Sequence, residues 1–468
     1  MTEMPIHPDV PGARLVPGKP FLGLGEYDLA ALGYAAQEFF VAGTAVSYGV
    51  DGVQLERAPY VTRIVVVKPI DATRFNGSVV VEWLNVSGGR DAPVEWVVAH
   101  RAMVRAGFAY VGVSAQKVGI DGGVSLNSAP MPLKTADPER YGALIHPGDA
   151  FAYDIFSQIG RVLRAPGDLL GGLAAQRLIA AGVSQSAMYL ATYVNVVDPV
   201  ARVFDGVLIH SRFGYGAGLN GASVLRPGSD SVLPALRQRD DLRVPVLIVE
   251  TETDVVGGPA QGYYWARQPD APHLRVWEIA GAAHADNYIF RVGSMDSGFA
   301  SIEALAAAYA PIDNSFGQTL GQPVNFGPQH HYVVEAALVG LDEWIKTGTA
   351  PAAAAPLQVD GSPAPGETPL LARDGHGIAL GGVRSPWVDV PTARLAGAGN
   401  DGSPGAWIVG LGEPFDKARL DRLYPGGKAE YLRRFEAALS AAIAAGFILA
   451  QARKEILDLA AFSYGGTA

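Results

Sequence analysis

The chain has 468 residues and a mass of 49.0 kDa, and 49% of its residues are apolar, enough for one large domain or a core with a substantial addition. Lys and Arg number 36 against 46 Asp and Glu, a net charge of −10 with no basic run, which argues against a nucleic-acid partner that would need clustered cations. Cysteine is absent, which excludes disulfides, thiolate nucleophiles and Cys-ligated zinc.

The opening Met1-Thr2-Glu3-Met4-Pro5 carries neither a basic region nor an apolar one, so no secretory signal is read and a soluble, cytoplasmic protein is expected. Residues 27–40 read as a short helix, with Leu29, Leu32 and aromatics at helical spacing. Residues 44–70 read as two strands, the clearer at 60–67, where β-branched residues run into a turn at Lys68-Pro69.

A repeating unit follows. Strands are expected at 78–84, 108–113, 177–181, 204–209, 246–249 and 274–279, with helices at 94–106, at about 149–163, and from the serine turn to Val194. A Gly- and Pro-rich loop is expected over 114–147. Alternating strands and helices predict an α/β fold with a mostly parallel sheet and helices on both faces. After residue 284 the pattern turns helical, near 299–309 and 330–346, and later at about 415–423 and 427–446. The apolar stretch 437–450 is shorter than the ~20 residues a membrane span needs and reads as a packed helix. The stretch 351–356 reads as a Pro/Ala linker, dividing a core at 1–350 from an extension at 357–468 that either caps the site or buttresses the core.

Three segments carry chemistry, each after a strand: Gly182-Val183-Ser184-Gln185-Ser186, Thr253-Asp254 and Gly281-Ala282-Ala283-His284. Serine, acid and histidine in that order is the arrangement of an α/β-hydrolase, and differs from the order in the chymotrypsin-like and subtilisin-like proteases. Small residues two positions either side of Ser184 suit a tight strand-to-helix turn, and Ser186 stands where glycine is usual. Gly112-Val113-Ser114-Ala115-Gln116 and Ala461-Phe462-Ser463-Tyr464-Gly465 have similar spacing; the first is followed by a loop and the second is preceded by a helix. For the acid, Asp254 competes with Glu252 and Glu250 in one turn, and Glu252 is the reserve. For the base, one of His330 and His331 is a candidate to line the pocket while both otherwise read as capping or solvated side chains, and His210 precedes every candidate acid. The backbone N–H groups of Gln185 and Val86 are the expected oxyanion donors, the latter in Asn85-Val86-Ser87-Gly88-Gly89. No His-Glu-x-x-His pattern or carboxylate cluster at ligand spacing calls for a metal, and no cofactor is expected.

The chain resembles a family of bacterial α/β-hydrolase domain proteins of largely unassigned substrate. The resemblance is carried by residues 33–45, Val81-Glu82-Trp83-Leu84-Asn85-Val86-Ser87-Gly88-Gly89, Arg140-Tyr141-Gly142, His146-Pro147-Gly148-Asp149 and Tyr153-Asp154-Ile155-Phe156-Ser157-Gln158. It continues in residues 182–186, 251–254 and 281–286, then Asp374-Gly375-His376-Gly377 and Leu380-Gly381-Gly382-Val383-Arg384. Its extent implies that the tail belongs to the same unit as the core. It also implies an α/β-hydrolase fold with a Ser184–Asp254–His284 triad and no cofactor, without implying a substrate, because this fold hosts many activities. The expected function is hydrolysis of a small-molecule carboxylic ester through an acyl-enzyme, with no nucleic-acid or membrane partner and the oligomeric state left open. Alternatives are an acyltransferase or a lactone or amide hydrolase using the same triad, or a non-catalytic binding protein of the same fold.

Overall fold

In a computed structural model of the chain, the described residues are 12–126, 129–164, 168–226, 232–315 and 317–465. The Met1–Pro5 stretch lies outside them, as do parts of the 114–147 loop. The chain forms two compact units, one of residues 1–24, 28–96 and 102–246, the other of residues 25–27, 97–101 and 247–468.

The first unit is built on strands β1 (Gly12–Val16), β2 (Tyr34–Tyr48), β3 (Gln54–Pro69), β4 (Ser78–Trp83), β5 (Ala109–Val113), β6 (Arg177–Val183) and β7 (Gly206–His210). They lie in the order β1-β2-β3-β5-β4-β6-β7. The β1, β2, β3 and β5 neighbours pair antiparallel, while β5-β4, β4-β6 and β6-β7 pair parallel. Every residue of β4 is buried, as are all but the first of β6. That double-faced burial is why both read as unbroken apolar runs instead of alternating ones. Helices α1 (Val94–Ala106), α2 (Ala152–Arg164) and α3 (Gln185–Thr192) intervene between strands, completing the α/β pattern.

Two readings are corrected. The helix expected at 27–40 is absent: residues 27–33 make turns, and Tyr34 opens the 15-residue β2. The segment pairs with β1 on one side and β3 on the other, and Phe39, Phe40, Val41 and Ala42 are all buried. Clustered apolar residues fit either period, and ladder formation on both sides decides for the strand. The 114–147 loop carries three short helices, Lys117–Asp121, Leu133–Ala136 and Pro138–Tyr141. Asp137 accepts the Arg140 N–H and Pro138 takes the first helical position, a local start signal inside a turn-rich stretch.

The second unit contains β8 (Val246–Thr251) from its second residue on, α4 (Glu252–Val256), β9 (Leu274–Ile279), α5 (Ile302–Ala308) and α6 (Gln329–Thr347). Beyond them come a two-stranded ribbon, Ala393–Ala396 with Leu411–Pro414, and helices α7 (Lys417–Leu423), α8 (Gly427–Ala444) and α9 (Arg453–Ser463). Residues 351–356 have no regular structure; the Trp277 indole N–H donates to Ala352 O at 2.8 Å and Arg275 Nε to Pro351 O at 3.1 Å. Tyr431, Phe435 and Leu439 recur at helical spacing on α8 and pack with Ile456, Ala460 and Tyr332. Among the described residues no helix is long and apolar enough to cross a membrane.

Candidate active site

In the first unit, β6 runs into α3 through Ser184, which sits at φ 60°, ψ −118°. Positive φ on a residue with a side chain is sterically costly, and among the described residues Ser184 shares it with only Arg202, Ser211 and Ala235 outside the glycines. Small neighbours make it feasible: a Cβ on Gly182 would lie 3.0 Å from a Leu190 methyl and 3.1 Å from the Ser186 carbonyl carbon. Ser186, in place of the usual glycine, contributes its own bond, its hydroxyl donating to Val183 O at 2.9 Å. The Ser184 N–H donates to His210 O at 2.9 Å, and Ser184 O accepts the Met188 N–H at 3.1 Å, opening α3.

The loop after β4 is tied to the same turn. Asn85 Nδ2 donates to Val183 O at 3.0 Å, and its Oδ1 accepts the Ser87 N–H at 2.9 Å. The Ser87 hydroxyl donates to Gln185 Oε1 at 3.2 Å. The loop closes on itself through Asn85 and Ala92, whose N–H and C=O groups bond reciprocally. Val86 and Gln185 are both buried, and their backbone N–H groups have no acceptor among the described residues. The sequence marks Asn85, Ser87 and Ser186 by position alone; the bonds their side chains make to this turn come from the fold.

In the second unit, Thr251 caps α4 reciprocally with Asp254: Asp254 Oδ2 accepts from the Thr251 N–H at 2.8 Å and hydroxyl at 2.6 Å. The other oxygen, Oδ1, lies 2.6 Å from His284 Nδ1. Burial pushes the Asp254 carboxyl up, but the His284 charge and hydrogen bond and the two Thr251 bonds outweigh it and hold the carboxyl below the usual aspartate range. With Nδ1–H donated to Asp254, the imidazole is held in the tautomer that leaves Nε2 as its basic nitrogen.

Glu252 is turned elsewhere, accepting the Gly281 and Gly397 N–H groups and Arg373. His330 and His331 are neither solvated nor capping. Both are buried, His330 Nδ1 lies 3.0 Å from Asp286 Oδ2, and the His331 ring stacks on Tyr288 at 3.9 Å. His210 pairs with Glu95 at 2.9 Å inside the first unit. Ser114 is held between Arg63 and Asp91, and Ser463 ends α9. Among the described residues no group of three or more His, Asp or Glu side chains is placed to hold a metal ion.

The family described as "Alpha/beta hydrolase domain" matches residues 4–458. A search of curated proteins finds no match. Among solved structures, the chain is similar to the Pyrococcus furiosus esterase Pf2001 at 9% identity, over 57% of this chain and 89% of that one, with a TM-score of 0.32. It is similar to Thermogutta terrifontis esterase 2 phosphoramylated by tabun at 14% identity, over 51% and 83% of the two chains, with a TM-score of 0.29. It is similar to Est1E from Butyrivibrio proteoclasticus at 9% identity, over 50% and 87%, with a TM-score of 0.27. The chain belongs to the alpha/beta hydrolase domain family.

Proposed function

We propose, from the chain's membership of the alpha/beta hydrolase domain family, that it is a serine hydrolase of small carboxylic esters with Ser184 as nucleophile, His284 as base and Asp254 as acid. The observation that carries this reading is the backbone of Ser184, a non-glycine residue at φ 60° between a buried strand and a helix. The 2.6 Å Asp254–His284 bond supports the assignment of base and acid, and the engagement of Glu252 with Gly281, Gly397 and Arg373 supports Asp254 over Glu252.

In this scheme Ser184 Oγ attacks the acyl carbon as its proton passes to His284 Nε2. Asp254 stabilises the imidazolium that forms. The negative charge that develops on the carbonyl oxygen is met by the Val86 and Gln185 N–H groups, with the positive end of α3 behind the second. Collapse of the tetrahedral intermediate breaks the ester C–O bond, and the leaving alcohol takes the proton back from His284. Water, losing its proton to the same nitrogen, then attacks the acyl-enzyme; the second collapse frees the acid and returns the proton to Ser184.

The test is labelling with a fluorophosphonate followed by peptide mapping, alongside hydrolysis of p-nitrophenyl esters of increasing acyl length. The expected result is one adduct, on the Ser184 peptide, with turnover that Ser184→Ala lowers on the order of 10⁶-fold. Folded protein with no adduct, or full turnover in Ser184→Ala, would overturn the reading.

A further inference from the structure

Glu252 has no part in that scheme, yet it is fully buried and takes three donors from three separate segments. Its Oε1 accepts the Gly281 N–H at 2.6 Å, and its Oε2 accepts the Gly397 N–H at 3.0 Å and Arg373 Nη2 at 3.1 Å. Thr253 repeats the pattern: its hydroxyl accepts the His284 N–H at 3.1 Å and donates to Gly397 O at 2.5 Å. Gly397 is therefore held by both its N–H and its C=O, between the turn that carries Asp254 and the loop that carries His284. No side chain fits there, since a Cβ would lie 2.4 Å from Ala282 O, 2.5 Å from the Glu252 Cβ and 2.6 Å from Thr253 N. Asn325 fastens the same region from another direction, its Nδ2 donating to Gly281 O at 2.8 Å and to Ala396 O at 3.1 Å.

Asp254 lies on a five-residue helix and His284 on the loop after β9, so their 2.6 Å bond depends on two short segments holding register. Bonds to a buried carboxylate are short and directional, and a misplacement of about 1 Å at a reacting group costs roughly a hundredfold in rate. We propose that Glu252 and Thr253, closed on Gly397 and Arg373, form a clamp that sets the Asp254–His284 hydrogen bond. The segment beyond residue 356 is thereby a working part of the active site, acting through positioning residues and not through contact with substrate. The proposal rests on the serine-hydrolase reading for its kinetic consequence, but the hydrogen bond itself is observable without turnover.

The experiment compares wild type with Glu252→Gln, which keeps the shape but turns one acceptor into a donor facing an N–H or a guanidinium. Two readouts are taken: kcat and KM per fluorophosphonate-titrated serine, and the low-field proton resonance of His284 Nδ1–H. The expected result is a fall in kcat of about 10- to 100-fold, with KM changed less than about twofold. The low-field resonance should move upfield or vanish. A variant with wild-type kcat and an unchanged resonance overturns the clamp while the hydrolase reading stands. If wild type takes no adduct at Ser184, the hydrolase reading falls, and the resonance alone decides the clamp. Should Glu252→Gln fail to fold, Arg373→Met removes one donor from a partly exposed side chain. It should lower kcat about tenfold with the same spectral change, Arg373→Lys restoring both; no effect from Arg373→Met would overturn the proposal.

Discussion

Glu82 shows how far one residue of this fold departs from its behaviour in water. It is completely buried on β4, accepting the Glu95 N–H at 2.9 Å, the Trp96 N–H at 3.1 Å and the Tyr110 hydroxyl at 2.7 Å. Burial pushes its carboxyl up to about 8, against the pull of those donors and with help from the nearby Glu95 carboxylate. The sign of the linkage follows. Unfolded, the group titrates near 4.5, so between pH 4.5 and about 8 the folded chain holds one proton more than the unfolded chain. Stability from this site is therefore fully present below the unfolded value and falls as pH rises towards 8, by up to roughly 1.4 kcal/mol per pH unit. Glu82→Gln, an isostere of the protonated acid, cannot titrate. In urea denaturation at pH 5, 6.5 and 8, the stability of wild type relative to this variant should decline steadily across the series. Parallel behaviour at all three pH values would mean that Glu82 is charged in the folded protein throughout.

At the scale of elements, ion pairs matter where they are buried and bind helix to helix. Arg101 Nη1 and Nη2 meet Glu455 of α9 at 2.8 and 2.7 Å, Nη1 also meets Asp296 at 2.8 Å, and the Tyr332 hydroxyl donates to Glu455 at 2.5 Å. Glu455→Ala leaves Arg101 with Asp296 alone and strands a buried hydroxyl, so it should cost about 3 kcal/mol of unfolding free energy. Lys454→Ala, one residue away in the exposed Lys454–Asp458 pair, should leave the melting temperature unchanged. Equal melting temperatures for the two variants would remove the anchoring role of α9. Neither this anchor nor the Glu252 clamp was legible in the sequence, because Arg101 and Glu455 lie 354 residues apart and Glu252 and Gly397 lie 145 apart. Local pattern carries no register over such distances. What pattern does carry is the parallel strands β4 to β7, whose β-branched runs are buried on both faces, and the strand-to-helix turn at Ser184, whose small-residue spacing is a steric demand of its backbone. The 27–40 stretch is ambiguous in sequence because clustered aromatic and aliphatic residues satisfy a helical period as readily as a strand, and only β1 and β3 decide between them. Asp254 and Glu252 stood as rivals in the sequence for a related reason. Two carboxylates in one turn are told apart only by their partners, one meeting His284 and the other Gly397.

For the whole molecule the question is whether residues 357–468 are an appendage or part of the folding unit. Leu357, Leu371, Ile378, Ala379 and Val388 pack in one apolar cluster with Val255 and Val256 of α4 and with Ala280, just ahead of the histidine loop. Val383 N–H donates to Glu278 O at 2.6 Å, and Leu357 N–H to Glu278 Oε2 at 2.7 Å. Deleting the segment would expose that cluster and leave Glu252 and Thr253 without Gly397. A chain ending at residue 356 should therefore be insoluble, or compact with strong dye binding to exposed apolar surface, and should hydrolyse no ester. Covalent continuity is a separate matter. Residues 361–362 and 364–368 are exposed, and space is open around Gly361 and Gly366. Such a loop tip is where a protease cuts without disturbing packing. Limited proteolysis confined to 361–368 should give two fragments that co-elute and keep near wild-type turnover, since the contacts that place Gly397 survive the cut. Full activity in the truncated chain would show the segment to be dispensable. Loss of activity on nicking, with the fragments still associated, would show instead that the loop's integrity, and not the packing behind it, sustains the site.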